Sequence, residues 1–309
     1  MILHVINSDT VGGVEELFTH YLEHTNSSNA IYITGSKIHS HFIDIVKKYA
    51  SVVIYEKYFL GITLPKKLRL LMAQLRRRKV DFKKVILWNR IEKITKLETL
   101  FSNKPIIYYE HGASWIEKQE YNLTLFFQRM EQIIANSHAA KALLSLKWGV
   151  SQKITVIENP LRPDISIGSP RDGLSFPIRL GFIGRLIPIK GVQFLIDAMF
   201  LLKKKGVICV LQIAGDGEEK EKIQRRINEL GLASSCQLLG AIQNVTEFYD
   251  SIDILVVPSI REPLGLVALE ASARGVPVIA SCVDGLYEVV QDHITGILIQ
   301  PTLPLETQQ

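Results

Sequence analysis

Short apolar runs alternate with stretches of helical periodicity along this whole chain, and this alternation limits the possible folds more than any other feature. The runs are rich in Ile and Val and occupy residues 2–6, 30–34, 52–55, 85–88, 106–109, 133–135, 154–157, 178–183, 208–214, 236–239, 254–257, 276–280 and 296–299. Residues 192–204 and 218–230 are clear examples of the helical stretches. Continuous apolar strands separated by helices are typical of parallel sheets covered on both faces. We therefore expect an α/β protein with doubly wound parallel sheets.

The alternation occurs twice, and a segment unsuited to regular structure separates the two halves. Residues 159–177 contain Pro160, Pro163, Pro170 and Pro177 together with Gly168 and Gly173. Such a composition continues neither a helix nor a central strand, so we place a linker there. The predicted domains are residues 1–165 and 166–309. Because ligands bind at the carboxyl ends of parallel strands, two such domains are expected to face each other across a cleft. No helical pattern follows the last run, so the second domain is predicted to be shortened at its C-terminus.

Charge is divided unevenly between the two halves. Residues 1–175 hold 24 basic and 16 acidic residues, a net charge of +8, whereas residues 176–309 hold 12 and 15, a net charge of −3. This split predicts different partners for the two domains. Three widely spaced cysteines without a C-x-x-C pair exclude a disulfide scaffold and favour a reducing compartment. No signal peptide and no run of 18 apolar residues is evident, so a cytoplasmic location is predicted.

Two cations follow the first strand of the second domain. In the segment LGFIGRLIPIKG, Arg185 and Lys190 lie between the predicted strand and the next helix. Cations at the carboxyl end of a strand, beside the N-terminus of a helix, can form an anion site. A solvated loop with incidental charges is the alternative.

A second segment, REPLGLVALEASARGVPVIAS, places two carboxylates around the start of a predicted helix. Glu262 lies in the loop, Gly265 and Leu266 begin the helix, and Glu270 follows about one turn later. Backbone N–H groups at Gly265 and Leu266 would face a phosphate or a sugar hydroxyl. Glu270 lies among apolar residues, where a carboxylate could hold a ribose diol through two hydrogen bonds. The alternative is an ordinary capped surface helix.

These motifs resemble the retaining GT-B glycosyltransferases of family 4, the glycosyl transferases group 1 type. The resemblance rests on GRLIPIKG, IAGDGEEK, LLGAIQNVTEFYDSIDILVVPS, EPLGLVALEASARGVPVIAS and DGLYEVVQDHITGILI, which occur in the order and spacing of that family. Glu262 and Glu270 match its E-x7-E signature. In the first half, VINSDTVGGVEEL, YYEHGASW and IIANSHAAK are similar to the glycine loop and later landmarks of the family. The resemblance implies two Rossmann-like domains of the GT-B type.

The resemblance also implies a role for each matching residue. Arg185 and Lys190, with the backbone near Gly265 and Leu266, would bind the diphosphate of a nucleotide-sugar, and Glu270 would hold its ribose. The residues assigned to catalysis are Glu262, which would contact the hydroxyls of the donor sugar, and His111, which matches a histidine beside the transferred sugar. Gly12 and Gly13 would let the backbone of the first domain approach the acceptor and the phosphate, respectively.

The implied activity is retaining, hexosyltransferase-type transfer from a UDP- or GDP-sugar to a glycan or glycolipid acceptor, in bacterial lipopolysaccharide or surface polysaccharide biosynthesis. No D-x-D motif occurs, so neither a divalent metal nor another cofactor is predicted. Two alternatives stay open: a nucleotide-sugar epimerase that shares this fold, and a non-catalytic nucleotide-sugar-binding protein.

The most basic segment lies in the first domain. Residues 65–96 hold twelve basic and two acidic residues, and Arg76, Arg77, Arg78 and Lys79 form a dense cluster. Leu64, Leu68, Leu71, Met72 and Leu75 precede this cluster at helical spacing. A basic amphipathic helix predicts peripheral attachment to an anionic surface at the inner face of the cytoplasmic membrane. A helix with its apolar face on the core is the alternative. Nucleic acid is not predicted as a partner, because no binding motif accompanies the charge.

Overall fold

The computed structural model describes residues 1–8, 13–35, 40–55, 64–88, 101, 103–112, 123–150, 153–170, 173 and 176–301, without the side chains of residues 64–68 and 125. The chain divides into two compact units, Met1–Asn159 and Pro160–Gln309. The described residues of each unit form one sheet, and the paired strands in both sheets are parallel. The prediction of two doubly wound α/β domains is therefore confirmed.

The described part of the first unit forms a seven-stranded sheet with the order β3-β2-β1-β4-β5-β6-β7. Its strands are β1 (Ile2–Asn7), β2 (Asn29–Thr34), β3 (Val52–Tyr55), β4 (Lys84–Leu87), β5 (Ile106–Glu110), β6 (Gln132–Ala135) and β7 (Ile154–Val156). The helices are α1 (Gly13–His24), α2 (Ser40–Tyr49), α3 (Leu64–Arg77), α4 (Leu123–Gln128) and α5 (His138–Trp148).

Helices cover both faces of this sheet, which explains why its strands are apolar along their whole length. Alternate residues of β1 belong to different cores: Leu3 packs in one cluster with α3, α4 and α5, while Ile6 packs in another with α1 and α2. Both side chains are fully buried. Strand pairing brings neighbouring carboxyl ends to one edge, as in the register of Asn7 with Thr34.

In the second unit the described residues form a six-stranded sheet with the order β10-β9-β8-β11-β12-β13. Its strands are β8 (Ile178–Ile183), β9 (Cys209–Ala214), β10 (Cys236–Gly240), β11 (Ile254–Val257), β12 (Val278–Ser281) and β13 (Gly296–Ile299). The helices are α6 (Val192–Lys204), α7 (Lys220–Glu229), α8 (Val245–Ser251), α9 (Leu266–Ala273) and α10 (Leu286–Val289), with a 3₁₀ turn at Pro188–Lys190. Two clusters again cover opposite faces, one with α6 and α7 and the other with α8, α9 and α10.

The order in which strands are added to this sheet reverses between β8 and β11, while the strands themselves stay parallel. After β8 the chain moves outward through β9 and β10, and then returns to β11 on the other side of β8. Parallel sheets bind ligands at this kind of switch point, because the loops leaving the two strands diverge and open a crevice between them. The first sheet has the corresponding switch point between β1 and β4.

The proline-rich segment packs on the second unit. Gly168 donates its N–H to the Ala273 carbonyl oxygen at 2.8 Å, and the Arg274 guanidinium donates to the Ser166 carbonyl oxygen at 2.9 Å. A side chain at Gly168 would collide with the Arg274 carbonyl oxygen, so this close approach requires glycine. The segment after residue 159 is thus anchored along the end of α9. None of the described helices is long and apolar enough to cross a bilayer.

Candidate functional site

The loop that leaves β8 is held by the loop that leaves its neighbour β9. A side chain at Gly215, where φ is +136°, would collide with the Gly184 carbonyl oxygen, so the two backbones can only meet at glycine. Leu186 is fully buried and donates its N–H to the Asp216 carbonyl oxygen at 2.9 Å. Next to this anchor the Arg185 side chain is exposed, and among the described residues it has neither a hydrogen-bond nor an ion-pair partner. Arg185 therefore presents an uncompensated positive charge at the carboxyl end of β8.

Lys190 and Glu262 meet at the switch point between β8 and β11. The Lys190 Nζ donates to Glu262 Oε2 at 2.6 Å, and the Ser259 hydroxyl donates to the same oxygen at 3.0 Å. Gly191, with φ of +69°, lies directly against the Pro258 carbonyl oxygen, where a side chain would collide. The close packing of the two loops thus brings together a cation and a carboxylate that are 72 residues apart in the chain.

A further contact holds the Glu262 backbone from the β12 side. Its N–H donates to Asp284 Oδ2 at 3.0 Å, and its carbonyl oxygen accepts from the Gly285 N–H at 3.0 Å. Asp284 has φ of +43° and also accepts from Arg261 at 3.3 Å. Neither Asp284 nor Ser259 is predicted as a site residue by the sequence. The Asp-Gly pair after β12 was the available signal, because Asp-Gly pairs favour tight turns.

Gly265 is the N-cap of α9 and has a left-handed conformation, with φ of +92°. A side chain there would lie 2.6 Å from Leu286 Cδ2, so glycine is required by both conformation and space. The first N–H groups of a helix have no partner within the helix and attract anions. Gly265 and Leu266 thus place the positive end of α9 immediately after the Glu262 loop.

Glu270 lies one turn into α9 and is 5% exposed. The Tyr249 hydroxyl, from α8, donates to Glu270 Oε2 at 2.6 Å. Burial and the Glu270 charge raise the Tyr249 pKa well above 10, so the phenol keeps its proton and remains a donor. A buried carboxylate needs such partners, since an unpaired charge is costly in an apolar surrounding. The apolar surroundings of Glu270 in the sequence predict a specific role for this residue, but no local pattern indicates Tyr249 as its partner.

In the first unit, His111 follows the carboxyl end of β5 in a stack of aromatic rings. Its ring lies 4.4 Å from that of Tyr109 at an angle of 2°, and Tyr109 stacks on Trp88 at 5.2 Å. His111 Nε2 is buried and has no hydrogen-bond partner among the described residues. Burial lowers the His111 pKa to about 3, so the imidazole is neutral near pH 7. The chemistry open to it is hydrogen bonding without charge.

A second buried histidine fixes the far side of this stack. The Trp88 indole N–H donates to His4 Nδ1 at 3.0 Å. Because an indole can only donate, His4 carries its proton on Nε2, which lies 3.1 Å from Asn29 Oδ1. Burial lowers the His4 pKa to about 4. Both ring nitrogens of His4 thus have a hydrogen-bond partner, and the bond to His4 holds Trp88 in its place in the stack.

The remaining predicted residues lie elsewhere in the first unit. Gly13 is the first residue of α1, which follows β1, and Gly12 lies outside the described residues. The basic cluster lies at the end of α3 and in the turn that follows it, and all four of its members are exposed: Arg76, Arg77, Arg78 and Lys79.

The apolar stripe before this cluster does not face a membrane where its side chains are described. Leu71 is fully buried and Leu75 is 2% exposed, and both pack in the core of the first unit. Met72 is partly buried against the same core, while the side chains of Leu64 and Leu68 lie outside the described residues. The expectation of an apolar membrane face on this helix is wrong for Leu71 and Leu75, because the sheet already covers them.

In the second unit, the predicted residues Arg185, Lys190, Glu262, Gly265, Leu266 and Glu270 all follow the carboxyl ends of β8 and β11. These two strands are neighbours at the switch point. The site thus offers two cations, a helix N-terminus and two carboxylates. Groups of this kind suit a ligand that has both phosphates and hydroxyls.

The glycosyl transferases group 1 family model matches residues 176–306, which is most of the second unit. An uncharacterized glycosyltransferase of Methanocaldococcus jannaschii is 31% identical over 211 residues, which covers 63% of this chain and 53% of that protein. The chain thus spans about half the length of this curated relative. These matches support the resemblance to glycosyl transferases group 1.

Solved structures share the architecture over nearly the whole chain. Anabaena HepE in complex with UDP and glucose has a TM-score of 0.76 and 21% identity, covering 97% of this chain and 85% of that one. The apo form of the lipopolysaccharide outer core galactosyltransferase WaaB has a TM-score of 0.68 and 20% identity, covering 97% and 86%. At these identities the likeness defines the fold, and the fold is GT-B.

Proposed function

We propose that this chain is a glycosyltransferase of family 4 that uses a nucleoside-diphosphate sugar as donor and retains the configuration of the transferred sugar. The observation that carries the proposal is the meeting of Lys190, Glu262 and the start of α9 at the switch point of the second unit. The family match over residues 176–306 supports it, because that match includes every one of these groups.

The donor is proposed to lie along the loops after β8 and β11. Arg185 and Lys190 would bind the diphosphate together with the N–H groups at the start of α9. Glu270 would accept hydrogen bonds from the ribose hydroxyls, and Glu262 would contact the hydroxyls of the sugar. UDP is the favoured carrier, because HepE was crystallised with UDP and glucose, and GDP is the alternative.

The proposed reaction depends on stabilising the leaving group. As the bond between the sugar and the phosphate lengthens, the sugar becomes oxocarbenium-like and negative charge develops on the departing diphosphate. Cations and dipoles directed at that charge lower the barrier, because their interaction with it is stronger in the transition state than in the ground state. Arg185 and Lys190 would supply the charge that a divalent metal supplies in D-x-D enzymes, so we propose transfer without a metal or other cofactor.

His111 is proposed to act beside the transferred sugar as a neutral hydrogen-bonding group. Its pKa of about 3 excludes a charged imidazolium as the resting form near pH 7. The stacked rings of Tyr109 and Trp88 would fix its orientation.

The acceptor is proposed to be a glycan or a glycolipid in lipopolysaccharide or surface polysaccharide biosynthesis. WaaB, which shares the fold, is a galactosyltransferase of the lipopolysaccharide outer core. Arg76, Arg77, Arg78 and Lys79 would attract the first unit to the anionic inner face of the cytoplasmic membrane, where a lipid-linked acceptor would lie. This attachment would rest on charge, since Leu71 and Leu75 are buried.

The test is a panel of UDP- and GDP-sugars measured against the full chain. The donor should raise the melting temperature, because a ligand that binds only the folded state stabilises it. A sugar should then move to a lipid-linked acceptor, with retained configuration by NMR of the product, and turnover should persist in excess EDTA.

Other outcomes would contradict separate parts of the proposal. Release of an epimer without acceptor would identify an epimerase, and binding without turnover would identify a non-catalytic protein. Rescue of EDTA-inhibited turnover by Mn²⁺ or Mg²⁺ would reject the metal-free mechanism.

A further inference from the structure

A cavity of about 720 Å³ lies in the first unit, beside the edge strand β3. Lys47 near the end of α2 and Arg77 at the end of α3 contribute to its walls, as does Tyr55 of β3. Helices that cross between parallel strands run against the strand direction, so the ends of α2 and α3 lie towards the amino ends of the strands. Tyr55 is the last residue of β3, so the cavity extends along this edge strand. Gly13 and His111, the described residues of the first unit proposed for transfer, follow β1 and β5, which lie two and four strands away from β3. This cavity is therefore a separate feature of the first unit.

Its lining is strongly basic. Three cations, Lys47, Arg77 and Arg78, line it, and Ser51 and Gln74 add uncharged hydrogen-bond donors. No carboxylate is present among the described residues that line the cavity. Three positive charges around one space attract an anion, and arginine side chains match the oxygens of a phosphate in pairs.

The structure already fixes one of these cations. The Arg78 Nη1 donates to the Val53 carbonyl oxygen of β3 at 3.3 Å. A guanidinium has five N–H donors, so this bond orients the group and leaves others for a ligand. Lys47 lies 4.0 Å from Asp44, and both side chains are more than half exposed, so this ion pair is weak.

The helix ends alone do not explain this arrangement. Cations in the last turn of a helix are stabilised by its negative end. This interaction is the same for Lys47 and Lys48 in α2, and likewise for Arg76 and Arg77 in α3. Only one member of each pair, Lys47 and Arg77, lines the cavity. The chain therefore provides a matched control next to each lining residue.

We propose that this cavity binds a phosphate group carried on an organic body, such as a phosphomonoester or the phosphodiester headgroup of an anionic phospholipid. The cations would bind the phosphate, while Val53, Ile54 and Tyr55 would contact the organic part. The volume is in the range of small-molecule sites and exceeds the space that inorganic phosphate alone would fill. This site goes beyond the proposed transfer reaction and does not depend on it.

The test compares matched pairs of variants in the full chain. Glycerol 3-phosphate and inorganic phosphate are titrated by calorimetry into the parent, Lys47→Ala, Lys48→Ala, Arg77→Ala and Arg76→Ala. All four side chains are exposed, so the variants should fold, and their melting temperatures check this. We expect Lys47→Ala and Arg77→Ala each to weaken glycerol 3-phosphate binding by about tenfold or more, the range of a hydrogen bond to a charged group. The neighbouring variants should stay within about twofold, because their charges lie outside the cavity.

Vesicles identify the source of the phosphate. If the ligand is a lipid, phosphatidylglycerol vesicles should bind the Lys47→Ala protein less than the Lys48→Ala protein, and glycerol 3-phosphate should compete. If the ligand is a soluble ester, the two variants of each pair should differ in their affinity for glycerol 3-phosphate, but they should bind phosphatidylglycerol vesicles equally well. Both results support the site.

Two results would overturn the proposal. One is an equal loss within each pair, which would mean that only general charge attraction operates. The other is that the parent binds glycerol 3-phosphate more weakly than about 10 mM, too weakly for a specific site. UDP-sugar binding by the same variants keeps this outcome separate from the fate of the proposed function, because that site lies in the second unit.

Discussion

Glu270 illustrates, at the residue scale, how a buried carboxylate is held in place. Its carboxylate accepts a hydrogen bond from the Tyr249 hydroxyl at 2.6 Å, within the mostly apolar helix α9. We predict that Glu270→Gln lowers UDP affinity by about 1–3 kcal/mol, since glutamine keeps the shape and loses the charge that strengthens bonds to the ribose hydroxyls. Calorimetry with UDP measures this change.

The same variant can be examined with a second ligand. 2′-Deoxy-UDP lacks one of the two hydroxyls that Glu270 is proposed to hold, so Glu270→Gln should reduce the preference of the protein for UDP over this analogue. Glu229→Gln, an exposed change at the end of α7, is the control. An unchanged preference in a normally folded Glu270→Gln protein would exclude the ribose assignment.

His4 gives the first unit a dependence of stability on pH. Its pKa is about 4 in the folded state against 6.5 for an ordinary histidine, so between these values the unfolded chain binds the extra proton and the folded chain does not. The contribution of neutral His4 to the free energy of unfolding is therefore fully present above about pH 6.5, and it is lost as the pH decreases towards 4. Between pH 7 and pH 5 the expected loss from His4 is about 2 kcal/mol.

Urea unfolding at pH 7 and pH 5 tests this prediction. His4→Gln should lower stability at pH 7 and make it about 2 kcal/mol less sensitive to this pH change. His24→Gln, at an exposed position at the end of α1, should keep the sensitivity of the parent. If His4→Gln also keeps it, His4 does not remain neutral in the folded protein.

At the scale of elements, the packing of the β8 loop on the β11 loop depends on one glycine. Gly191 and Gly206 have nearly the same φ, +69° and +74°, but a side chain at Gly191 would collide with the Pro258 carbonyl oxygen while Gly206 faces open space. Gly206→Ala should cost about 1–2 kcal/mol of stability from the left-handed backbone alone. Gly191→Ala should cost more, and it should also weaken UDP binding because Lys190 is displaced.

Urea unfolding and calorimetry of the two variants make the comparison. Equal losses of stability and intact UDP affinity in both would mean that the two loops can separate without effect on the site.

Elements were predictable where local pattern and burial agree. Every apolar run predicted from sequence forms a strand, because a strand buried on both faces must be apolar throughout. Helix α6 has the predicted bounds of 192–204. Helix α7 spans Lys220–Glu229 and not the predicted 218–230, because Glu218 and Glu219 belong to a turn in which the Lys220 N–H donates to the Gly217 carbonyl oxygen at 3.1 Å.

Contacts between elements were not predictable in the same way. Lys190 meets Glu262 across 72 residues, and Tyr249 meets Glu270 across 21. Such pairs depend on strand order and on the closeness of loops, which no local pattern contains. The prediction of a membrane-facing stripe was wrong at Leu71 and Leu75 for a related reason. An apolar helix face has the same spacing whether a sheet or a lipid surface covers it.

For the whole molecule, the uneven charge predicts how the chain approaches a membrane. Each cation near an anionic surface contributes about 1 kcal/mol, and this attraction is screened over about 8 Å at physiological salt. We predict that the full chain binds anionic vesicles at low salt and dissociates from them at high salt. Changing Arg76, Arg77, Arg78 and Lys79 to Ser should remove most of this binding, as cosedimentation can measure.

The second unit contains its own control for this experiment. Lys203, Lys204 and Lys205 are also consecutive and exposed, but they belong to the acidic half of the chain. Their change to Ser should affect vesicle binding little. If the two variants bind alike, the basic cluster is an ordinary solvated end of α3, and a soluble acceptor becomes the better proposal.

The pairing of Lys190 with Glu262 means that the protein itself provides a counter-ion for this cation. For a diphosphate to reach Lys190, it must share or displace a carboxylate that the protein itself provides, so binding there exchanges one anion for another. Release of the Glu262 side chain would coincide with arrival of the donor, and the residue proposed to contact the sugar would become available only when a sugar is present.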